Sequence, residues 1–107
     1  MALYLIRGSY TAESVRGVQS AGAASRVQAT EDAIKSVGGS VICGPAWSTD
    51  NLEAVVVVDL PNVAAVASSL VTVLGSGAGG LKMERLLTAG ELDEGIGLSA
   101  QFRAPGQ

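Results

Sequence analysis

The side chains able to do chemistry in this sequence are Tyr4, Tyr10, Arg26, Trp47, Asp50, Glu53 and Glu84. Histidine is absent, which removes the usual general base and every Ser-His or Cys-His dyad. Acid–base work would fall to a carboxylate whose pKa is raised by burial. Glu53, Glu84 and the phenol of Tyr10 are therefore the catalytic candidates. Tyr4, Arg26, Trp47 and Asp50 are the candidates for holding a ligand. A carboxylate, a phenol and an aromatic wall suit a small, mostly apolar molecule with one polar handle. The bland alternative makes Tyr10 and Trp47 edge packing and Arg26–Glu53 a surface pair. Lys82 and Glu84 would then form an interface salt bridge.

Other chemistries are excluded. Cys43 is the only cysteine, so neither an internal disulfide nor a CxxC site exists. With Val41 on the same strand parity, Cys43 is expected to be a small buried hydrophobe. No metal and no cofactor is expected, because carboxylates alone remain as ligands and none has the spacing of a known site. The net charge is −3, with no Lys/Arg cluster, which argues against a nucleic-acid partner. No apolar run approaches the roughly 18 residues that span a bilayer. A cytoplasmic protein without membrane contact is expected.

Gly75–Gly80, "GSGAGG", fits the G-x-G-x-x-G spacing of dinucleotide loops. That motif works by following a strand and opening a helix. Here the order is inverted: the stretch follows a helical pattern and precedes a strand. It is expected to be a mobile connection that imposes no shape.

The elements that must position these residues follow from pattern. Ala2–Gly8 and Ser40–Trp47 read as strands, the latter at an edge or bulged because Pro45 lacks an N–H. Glu53–Leu60 is a third strand whose unbroken valines predict burial on both faces. The spacing predicts a helix over about 15–37, with Thr11 or Ser14 as N-cap and a possible break at Gly22. Gly38-Gly39 would end it. A second helix runs from Pro61 to Gly75, with Val63, Val66, Ala67, Leu70, Val73 and Leu74 as its apolar stripe. Leu81–Thr88 is a fourth strand. The order is β-α-β-β-α-β, the ferredoxin-like arrangement, with two helices on one face of a four-stranded antiparallel sheet. Residues 1–94 form the domain and 95–107 a tail. The Leu/Met-rich face of the first and fourth strands should meet the helices, turning Tyr4, Lys82 and Glu84 to the other side. That other face needs cover, and a second copy meeting it sheet to sheet supplies it. Any cavity would lie between the two sheets.

"YLIRGSYTAESV", "SRVQATEDAIKSVGGSV", "WSTDNLEAVVVVDLP" and "LTAGELDEG" resemble the GYD-domain family of small bacterial α+β proteins. The likeness runs from about Leu3 to Glu94 and includes Tyr10-Thr11, Arg26 and Asp59-Leu60-Pro61. The Gly-x-Tyr-Asp motif itself is replaced by Asp50-Asn51-Leu52-Glu53. Fourth-strand threonines common in the family appear as Met83 and Arg85. The resemblance implies a dimeric α/β barrel and a homodimer, but no agreed activity. Three functions remain: a cofactor-free enzyme on a small apolar molecule, a non-catalytic ligand-binding or sensing module, or a structural protein with no small-molecule site.

Overall fold

A computed structural model describes residues 2–107. The elements are β1 (Ala2–Gly8), α1 (Ala12–Ala21), α2 (Ala23–Ser36), β2 (Ser40–Trp47), β3 (Ala54–Leu60), α3 (Val63–Gly75), β4 (Leu81–Leu86) and α4 (Ala89–Leu98). The class is α+β. The strands form one antiparallel sheet in the order β2-β3-β1-β4.

The first helical stretch is two helices. Gly22 stands between them at φ 88°, a conformation that costs glycine little and a side chain much. Thr11 caps α1, its hydroxyl accepting from the Ser14 amide at 3.1 Å. Asn62 caps α3 in the same way through the Ala65 amide at 2.9 Å. The fourth helix, α4, lies where the sequence reads as a tail and crosses the 94/95 boundary. Its start is a capping box: Thr88 Oγ1 accepts from the Glu91 amide, and Glu91 accepts from the Thr88 amide.

The core lies between the sheet and the helices. Ile6, Val56, Val58 and Leu60 of the sheet meet Ile34 of α2 and Ala65 of α3. Val58 is wholly buried. The α3 stripe is rotated from the expected one. Ala65 faces the core, whereas Val63 is 79% exposed.

Register fixes which side chains share a face. Tyr4 lies opposite Val58 and Arg85, and Ile6 opposite Val56 and Met83. Tyr4 therefore packs on the helix side, against the core. Leu3, Leu5 and Arg7 share the opposite, open face with Lys82, Glu84 and Leu86. This corrects the expected faces: Tyr4 and Glu84 are on opposite sides of the sheet. The physical reason is parity, since directly opposed residues share a side and a shift of one inverts it. A second correction concerns Cys43. β2 is an edge strand with irregular register on either side of Cys43, and this thiol is exposed rather than buried. The bulge around Ile42 breaks the alternation that tied Cys43 to Val41.

The glycine-rich loop is also unlike its expectation. It is clasped to the segment after β1. Ser9 N donates to Gly80 O (2.9 Å), Gly80 N to Ser9 Oγ (2.9 Å), Thr11 N to Ala78 O (3.1 Å) and Ser14 Oγ to Ala78 O (2.6 Å). Gly79 sits so close to Ser9 that a Cβ there would lie 1.7 Å from the Ser9 carbonyl oxygen. Gly75, by contrast, has open space around it. Gly79→Ala should thus destabilise the fold by about 1–3 kcal/mol through overpacking. Gly75→Ala should be neutral or slightly stabilising. Urea unfolding of the two variants checks the difference.

Candidate functional site

A cavity of about 260 Å3 lies among α2, α3 and the sheet. The sheet floor is Ile6, Ala54, Val56, Leu81 and Met83. The helix walls are small side chains: Ala29, Thr30 and Ala33 from α2, and Ser68, Ser69 and Thr72 from α3. Their shortness creates the space, because side chains of this size on two neighbouring helices do not reach each other over the sheet. Gly79 and Gly80 of the clasped loop close one end.

Tyr10 and Arg26 are the ionisable side chains that line this cavity. Both also line a second cavity of about 300 Å3 between α1, α2 and Ala78. Trp47 Nε1 donates to Tyr10 Oη at 2.9 Å. Trp47 reaches this position because it lies opposite Ala54, on the helix side of the sheet. The Tyr10 oxygen thus has an accepting role filled by Trp47, and its own proton remains to be donated. Of the residues singled out from the sequence, Tyr10, Trp47 and Arg26 are brought together here.

The carboxylates are elsewhere. Glu84 is exposed on the open face, away from the cavity. Glu53 and Asp50 belong to the β2–β3 turn and do not line the cavity. Their amides are used to hold that turn, Asp50 N donating to Ser48 Oγ (3.1 Å) and Glu53 N to Asn51 Oδ1 (3.0 Å). Glu53, Tyr10 and Glu84 therefore do not form one constellation. The Arg26–Glu53 surface pair of the bland alternative is not made. Among the described residues the salt bridge is Arg85–Glu91.

Tyr4 belongs to that other cluster. The Arg85 guanidinium lies 5.9 Å from the Tyr4 ring centroid. It donates to both Glu91 carboxylate oxygens, at 2.6 and 3.3 Å, and to the Leu86 carbonyl. These bonds fasten the start of α4 to β4. Sequence reasoning missed this cluster, although Thr88-x-x-Glu91 is a readable capping signal. The rest of α4 is bare: Ile96 is 65% and Phe102, beyond it, 85% exposed.

Arg85 hydrogen bonds hold the Glu91 carboxyl at about 2, well below the ordinary carboxylate range, with the Thr88 amide as a second cause. A carboxyl depressed on folding stabilises above its unfolded pKa and loses that contribution as pH falls through the folded value. Attachment of α4 should be intact above about pH 4.5 and fade as pH falls towards 2. Carboxyl chemical shifts of Glu91, followed with the amides of 89–98, check this, and Arg85→Gln should return the Glu91 titration to the ordinary range. Separately, Tyr10→Phe leaves the Trp47 N–H without its partner and should cost about 1–3 kcal/mol, read by urea unfolding and by the Trp47 emission.

No helix among the described residues is long and apolar enough to cross a membrane. Compared with family models, curated proteins and solved structures, the chain matches none of them.

Proposed function

We propose that this protein binds a small, mostly apolar molecule in the cavity beneath α2 and α3, without a cofactor. The observation that carries this reading is the cavity itself: an apolar floor, small hydroxyl-bearing walls, and Tyr10 and Arg26 at hand. Such a chamber, apolar with a few polar groups, is the usual form of a small-molecule site. A carboxylate base is missing from its lining, so the site as built is a binding and sensing site. Tyr10 is the proton donor it offers. The reading sets the ligand under the helices, where the expectation set it between two sheets.

The proposal retains the GYD-type assignment and the ferredoxin-like βαββαβ plan, for which the strand order β2-β3-β1-β4 is support. It also retains the homodimer. Leu3, Leu5, Val55, Val57 and Leu86 give the open face its apolar side chains, and α2 and α3 pack on the opposite face. Arg7 and Lys82 stand directly opposite each other there, a like-charge pair that a partner's carboxylates, Glu84 among them, would relieve. Two copies meeting on this face form the barrel, with the exposed α4 and tail as further cover.

Titration with 1-octanol should change the fluorescence of Trp47, the sole tryptophan. Ala29→Phe, which fills the cavity, should abolish that response while leaving the circular dichroism intact. An unchanged response in Ala29→Phe overturns the site. In native mass spectrometry the protein should be a dimer, and Leu5→Glu should make it a monomer that still binds 1-octanol.

A further inference from the structure

Arg26 occupies a position that does nothing for its own helix. It is in the first turn of α2, where the aligned peptide dipoles already leave positive charge and no acidic residue offsets it. A cation is unfavourable there, and the favourable place for one is the last turn. It makes no ion pair with any described residue, because the salt bridge in the fold belongs to Arg85. It lines both cavities, and their other ionisable group is Tyr10. The hydroxyl of Tyr10 already accepts the Trp47 N–H, which leaves the phenol as a donor. The two ionisable groups of the chamber are thus a donor-only guanidinium and a phenol poised to donate. Arg26 is exposed, so an alcohol, amide or hydrocarbon ligand would leave its charge to water alone. An acceptor with negative charge would satisfy both groups at once.

We infer that the ligand is an amphipathic monoanion, a carboxylate on an alkyl or aryl body. Its head is held by Arg26 and the Tyr10 hydroxyl, and its body lies over Ile6, Val56 and Met83. A single cation matches a single negative charge, and the planar guanidinium matches a carboxylate in two-point contact. The inference rests on the proposed cavity site and names the class of molecule that fills it.

The test compares octanoate with 1-octanol at neutral pH, following Trp47 emission in the unaltered chain. Octanoate should bind at least about tenfold tighter, the range of a charge-assisted hydrogen bond. Arg26→Gln should erase that preference, and Arg26→Lys should restore part of it. Equal affinity for the two ligands, or Arg26→Gln weakening both alike, overturns the anion assignment and leaves the apolar cavity site standing. Binding of neither ligand to the unaltered protein overturns the cavity site and the assignment with it.

Discussion

Alternating side chains of β3 leave the strand toward two faces, and the helices of this chain cover one of them. Val56, Val58 and Leu60 go to the helix side and are buried. Val55 and Val57 go to the other side and stay half-exposed. Most of the architecture answers to this division. The helix side holds the core, the cavity and the Tyr10–Trp47 bond. The open side holds Arg7, Lys82 and Glu84. A valine on that side gains its burial from whatever meets the sheet, at about 25 cal/mol for each Å2 removed from water.

The helix side is itself incompletely filled. β3 and β1 bring bulky aliphatic groups to the floor, while α2 and α3 bring alanine, serine and threonine. Close packing would need larger residues at Ala29, Ala33 or Thr72. The clasp between Ser9 and Gly80 holds one wall in place. Placement of Arg26 beside it puts a charge where the chamber can use one and where the helix cannot.

Strands and their ends were legible in the sequence because β-branched runs bounded by Gly, Pro and Ser leave little choice. β1 and β2 run as expected, and β3 and β4 differ at their ends only. The helix break at Gly22 was legible for the same reason. The face assignment was not. β1 is apolar at Leu3, Tyr4, Leu5 and Ile6 alike, so alternation carries no direction there. Pairing with β4 decides it, and pairing is a non-local property. Cys43 escaped because a bulge cancels parity. For the candidate site, Tyr10, Arg26 and Trp47 were within reach, since their elements end near one another. Its position under the helices was not, because a cavity is made by what small side chains fail to fill. The carboxylates were over-weighted: in the absence of histidine they were the natural bases, but Glu84 stands on the far face and Glu53 in a turn.

The place of β1 in the sheet has a consequence for how the protein is made. β1 precedes the other three strands yet lies inside the sheet, flanked by β3 and β4. Both of its neighbours emerge later from the ribosome. The contacts at its end join residues 64 and 71 positions apart. Folding that depends on such distant partners is slow relative to local helix formation. Leu81, Met83 and the loop that closes the chamber come from the last strand and its approach. An earlier, partly synthesised chain has α1 and α2 but no chamber. The ligand site is thus a property of a late stage of assembly, and occupancy would favour the completed sheet over any shorter intermediate.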